Sequence, residues 1–240
     1  MNNIVKTKGF ENAYKIFSSK KYDATFLIVG IALVIGAASL KFNPTSIDSY
    51  LSLFSGIGGM FVVIMQANRI GRPMFIAAIL VTACDFYNYF KQEIMAKMIL
   101  AIYGILLNFI GLFTYKSKIE VTKLKKTDLI ITSIVGAIGV VVLVFFGKGL
   151  MKSGQPAFVF PLTVVLFVVQ VCAKFLFIRG KALCGILFFI ANFGYIIIYA
   201  ALLLTVGKVQ NYVYFAMYIM FTINAIKATV IWYHDEDKEN

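Results

Sequence analysis

The chain has 240 residues, of which 60% are hydrophobic and only 14% charged, with a mean hydropathy of +0.86. Soluble domains are about 45–50% apolar and about 25% charged, so a soluble fold is excluded and a bilayer is required. The net charge of +12 would suit nucleic acid in a soluble protein; here it reads as basic loops that set topology and meet anionic lipid.

The apolar runs are long and lack the two-residue alternation of barrel strands, which leaves spanning helices. Eight spans are predicted, at 24–40, 49–66, 73–90, 94–115, 128–147, 157–178, 182–206 and 212–233. The polar, basic segment 1–23 reads as the cytoplasmic lead of an uncleaved first helix, because removing it would delete the largest basic patch. In the second span, Gly56, Gly58 and Gly59 predict close helix packing. The third is the weakest, since it holds Asp85 and Asn88. Pro161, early in the sixth, is a candidate kink or hinge. In the last span Lys227 is expected to snorkel to the interface, while Trp232, Tyr233 and Tyr115 read as aromatic-belt residues. The acidic end 234–240 is expected to be a solvated tail.

With the N-terminus inside, segments facing the cytoplasm carry 16 Lys and Arg, Lys174 among them. Those outside carry 6, Lys97 among them, and Lys227 lies within a span. The bias predicts both termini cytoplasmic. The chain also divides into similar parts. A helix ends near Gln66–Pro73 and another near Lys174–Ala182, each in a short basic turn followed by a new apolar run. Segments 49–115 and 157–233 therefore read as two parallel three-helix repeats. Around them lie 1–48, with an extra first helix, the basic loop and linker helix of 116–156, and the tail 234–240. Transporters place substrate sites between such repeats.

Particular residues carry a family resemblance. In 89–115 a polar loop leads into a helix with Asn108, then Gly111, then the aromatic Tyr115. In 179–192 a basic turn leads through an apolar helix to Asn192, and Asn224 precedes Trp232 in the last helix. This pattern resembles the Pnu-type vitamin and nucleoside transporters, which include nicotinamide riboside transporters. The resemblance implies a SWEET-like 3+1+3 fold and facilitated diffusion, with intracellular phosphorylation trapping the substrate. Two departures stand out. Gly185 and Phe188 occupy the places of the family's paired tryptophans, and Ala101 that of a glutamine. They weaken nicotinamide riboside as substrate and favour a nucleoside, a deoxyribonucleoside foremost, over thiamine and riboflavin.

The candidate substrate-binding residues follow from the cost of burying polar groups, roughly 2–7 kcal/mol when unpaired. Asn108, Asn192 and Asn224 offer a donor and an acceptor on three helices, for a base edge, a sugar or a neighbouring helix. Asp85 is the one acid well inside a span, suited to a pathway or to pairing with Lys227, and is expected toward the outer surface. Phe188 is the first choice for stacking on a ring, with Tyr103, Tyr195 and Tyr218 behind it.

Enzymes are disfavoured because Cys84, Cys172 and Cys184 lie in apolar runs, His234 is the only histidine and no acids cluster. No cofactor or metal is expected. The expected partners are the small solute and the lipid bilayer of a bacterial inner membrane, in one copy or a homo-oligomer, without nucleic acid. A membrane protein that only binds a partner protein is the competing class.

Overall fold

The computed structural model describes residues 7–92, 95–146, 158–205 and 208–238. Lys6, Lys148 and Lys152 of the charge tally, and the expected span ends at 147, 157 and 206, lie outside these. Among the described residues there are nine helices and no strand. They are α1 (Lys8–Phe17), α2 (Lys20–Ser39), α3 (Ile47–Ala67), α4 (Arg72–Gln92), α5 (Met95–Thr114), α6 (Lys126–Phe146), α7 (Val159–Ile178), α8 (Leu183–Thr205) and α9 (Val209–Lys238). The eight helices α2 to α9 are long and apolar enough to cross a membrane. Phe113, Phe145 and Leu204 stand exposed on them, as lipid-facing residues do.

Two edges differ from expectation. α2 starts at Lys20 because Ser19 caps it, accepting from the Tyr22 N–H at 3.2 Å, with Asp23 favourably placed in the first turn. α9 continues through the expected acidic tail to Lys238. The start of that tail is covered, not solvated: His234 is 2% exposed and stacks on Tyr14 of α1 at 3.4 Å, and Asp235 pairs with Arg69, while Asp237 and Lys238 are exposed.

Helices α3, α4 and α5 pack in sequence order, as do α7, α8 and α9. Between the two sets, α3 packs on α9 and α5 packs on α7. The first helix of each set thus meets the third helix of the other, the pairing that an axis along the membrane normal produces. The linker helix α6 lies on α7, and the extra helix α2 lies in the angle of α3 and α9. Glycines permit the closeness. A Cβ on Gly56 would meet Val34 of α2 at 2.7 Å, and one on Gly58 would meet Val81 of α4 at 2.6 Å.

The turns after α3 and α7 repeat one another bond for bond. Ile70 N–H donates to Met65 and Lys181 N–H to Leu176, both at 2.9 Å. The residue before each has positive φ, 60° at Arg69 and 66° at Gly180. The segment between α5 and α6 ties the two turns together. Ile119 N–H donates to the Arg69 carbonyl at 2.8 Å, and Thr122 N–H to the Gly180 carbonyl at 2.9 Å. Gly180 is required here, since a Cβ would lie 2.1 Å from the Glu120 carbonyl oxygen. Asp128 at the head of α6 reinforces the clamp through Lys181 at 3.0 Å and Arg179 at 3.2 Å.

Three readings are corrected. Lys227 does not snorkel: it is fully buried and ion-paired with Asp23 of α2, not with Asp85. Trp232 is no belt residue; it is 1% exposed and donates to the Ala67 carbonyl at 3.2 Å. Pro161 sits in the first turn of α7, where the missing N–H breaks no helical bond, so it demands no kink.

Candidate functional site

Between the two helix sets lies a cavity with about 980 Å³ of empty space, counted out to its open mouth. Its walls come from both sets: Gln66, Asp85 and Ala101 from the first, Gln170, Lys174, Phe188, Asn192 and Asn224 from the second. A smaller cavity of about 490 Å³ shares Gln66, Thr82, Lys174 and Phe188 with it. This second space adds Asn108, Met74 and Ile178, and so continues toward the face that carries the two clamped turns.

The opposite end is closed by tyrosines. Tyr89, Tyr195, Tyr199, Tyr214 and Tyr218 are all buried and stack in a continuous cluster with Lys97. Lys97 is 4% exposed, donates to Tyr218 Oη at 2.8 Å and lies 3.0 Å from the Tyr195 ring centroid. Asp85 adjoins this cluster. It accepts from Ser55, and from Tyr214 at 2.9 Å; Tyr214 in turn accepts from Asn88 at 3.3 Å. An acid in an apolar helix is thus held by hydroxyls from α3 and α9, which explains how α4 tolerates it.

The predicted residues distribute unevenly. Asn192, Asn224, Phe188, Asp85 and Tyr218 line the main cavity. Asn108 lines only the second cavity. Tyr195 lies behind the wall under Lys97, its hydroxyl buried without a hydrogen bond among the described residues. Tyr103 lines neither cavity; its hydroxyl donates to the Val171 carbonyl at 3.3 Å and joins α5 to α7. Asn224 donates to the Val63 carbonyl at 2.7 Å, while its side-chain oxygen is buried with no partner among the described residues.

Gln66, Gln170, Lys97 and Lys174 were not anticipated as wall residues. The glutamines could have been noticed as amides inside apolar runs. The lysines were assigned to loops because each lies within a few residues of a span end. Without them the charge tally is 15 against 5, and the bias survives.

The comparisons with known proteins fit this architecture. The chain superposes on the "Crystal structure of the Vitamin B3 transporter PnuC" with a TM-score of 0.72, covering 98% of this chain and 100% of that one. At 14% sequence identity this likeness establishes the fold alone. No curated protein sequence matches the chain. The family described as "Nicotinamide mononucleotide transporter" matches residues 49–234, leaving out only α1, α2 and the two ends. The chain therefore belongs to the nicotinamide mononucleotide transporter family, as a multi-pass membrane transporter.

Proposed function

We propose that the protein carries a nucleoside-like solute, a ring joined to a sugar, across a bacterial inner membrane by facilitated diffusion, with both termini cytoplasmic. The observation that carries this reading is the Asn224 side-chain oxygen, buried on the cavity wall without a donor. An orphaned acceptor costs about 1–3 kcal/mol, and a solute hydroxyl or amino group would satisfy it. The amides of Gln66, Gln170 and Asn192 on the same wall supply further donors and acceptors, and Phe188 supplies a ring. The basic bias of the clamped face supports the orientation.

Among solutes we favour (deoxy)ribonucleosides. A tryptophan at position 185 is sterically opposed, since even a Cβ there would lie 3.0 Å from the Thr229 backbone. Ala101 on the cavity wall offers no hydrogen bond. Both points count against the ring-stacking arrangement expected of nicotinamide riboside transporters. Nicotinamide riboside or its mononucleotide is the second reading, favoured by the family description. Thiamine and riboflavin follow.

Calorimetry on the purified protein with deoxyadenosine, adenosine, thymidine, nicotinamide riboside, thiamine and riboflavin tests this. We expect nucleoside binding that Asn192→Ala and Asn224→Ala each weaken by about tenfold, roughly one lost hydrogen bond. Asn108→Ala should weaken it less. Folded protein that binds none of the six would refute the reading.

A further inference from the structure

At the closed end of the cavity, side chains bridge helices that do not themselves pack. Among the described residues α9 packs closely on α2, α3 and α8, but not on α4 or α5. Tyr214 of α9 reaches across to α4, where it donates to Asp85 at 2.9 Å and accepts from Asn88 at 3.3 Å. One turn on, Tyr218 reaches α5 and accepts from Lys97 at 2.8 Å. Tyr89 of α4 stacks on Tyr214 with ring centroids 5.5 Å apart.

The material of this closure is polar. α3 contributes Ser49, Ser52 and Ser55, spaced along one helix face and all buried. Ser55 donates to Asp85, and Ser52 to Asn88 at 3.5 Å. Gln210 and Asn211, one turn before Tyr214, are buried as well. Burying polar groups costs free energy, and an apolar plug of the same volume would hold a permanent closure without that cost. A polar plug suits a junction that also has a wet state. When it parts, water takes over the bonds of Asp85, Asn88 and the tyrosine hydroxyls. The opposite face is built differently. There the two turns are tied by backbone bonds from Ile119 and Thr122, which no side-chain rotation releases.

We propose that the junction of α9 with α4 is the outer gate of the transporter, held shut by the Tyr214 hydroxyl on Asp85 and Asn88. This rests on the cavity being the solute path and on the clamped turns facing the cytoplasm. Transporters built from repeated helix sets gate one set against the other around a fixed site. Asp85 joins the two functions: its side chain lines the cavity and also holds the gate, so a solute on that wall meets the latch.

The test reports opening without any solute. Ala101→Cys, on the cavity wall, is made in a full-length chain whose Cys84, Cys172 and Cys184 are replaced by alanine. A membrane-impermeant maleimide is then added to intact cells or to inverted vesicles. With Tyr214 in place, labelling from the cytoplasmic side should be about tenfold faster than from outside. Tyr214→Phe keeps the ring and loses the latch, and should raise the outside rate about fivefold. Asn88→Ala removes the longer of the two bonds and should raise it about twofold. Ser55→Ala strips the same carboxylate of a hydroxyl that does not cross the junction, because α3 and α4 pack closely, and should leave the outside rate unchanged. An outside rate that neither Tyr214→Phe nor Asn88→Ala alters overturns the proposal. So does an equal rise in Ser55→Ala, which would mark general loosening, and so does equally fast labelling from both sides with Tyr214 in place. None of these outcomes bears on which solute binds, and a chain that binds none of the six compounds still reports on the gate.

Discussion

Three lysines lie inside this helix bundle, and they differ in what they face. Lys227, at the α2–α9 contact, is fully buried against the Asp23 carboxylate. Lys97, at the closed end of the cavity, is held by a tyrosine hydroxyl and aromatic faces. Lys174, at the seam of the two cavities, faces open space. The first two are parts of the scaffold, whose charge the protein itself compensates. The third makes no hydrogen bond or ion pair with the described residues and shares the cavity wall with Asp85, whose charge acts on it across the space.

Substitutions can break this contrast, beginning with the largest expected effect. Asp23→Ala would leave the Lys227 ammonium buried without its carboxylate. A loss of about 3–5 kcal/mol is expected for removing one partner of a buried pair. Thermal unfolding of the detergent-solubilised protein reads it, and a midpoint close to wild type would show that Lys227 is accommodated otherwise. Tyr218→Phe removes only the hydroxyl that accepts from Lys97, an expected loss of about 1–3 kcal/mol. If the same assay registers no change, the ring of Tyr195 alone suffices to hold the charge. Lys174→Met should do least to stability, a change below about 1 kcal/mol, because Lys174 is only partly buried and no hydrogen bond or ion pair with the described residues is lost. A large destabilisation would place Lys174 with the scaffold lysines.

The eight spans were legible in the sequence because the bilayer imposes one simple requirement, a long apolar run, and nothing competes with it. The two-set organisation was legible at the turns, where Arg69 and Gly180 repeat the same backbone bonds. Part of the cavity wall was legible for a similar reason. Asn192, Asn224 and Asp85 are polar groups in apolar helices, and such groups need partners. Tyr103 carries the same chemistry as Tyr218, yet one joins helices and the other lines the cavity. Composition cannot separate them, because the difference is a rotation about the helix axis.

The sequence by itself determined that the chain crosses a membrane eight times and carries amides suited to a polar solute. Hydropathy and the cost of unpaired polar groups are local properties, and they act before any helix meets another. Only the tertiary structure decided which lysines find a direct partner, because the partners are distant in the chain. Asp23 reaches Lys227, and Tyr218 reaches Lys97, across a helix–helix contact. Lys174 meets the absent side chain of Gly104 instead, on the wall that both cavities share.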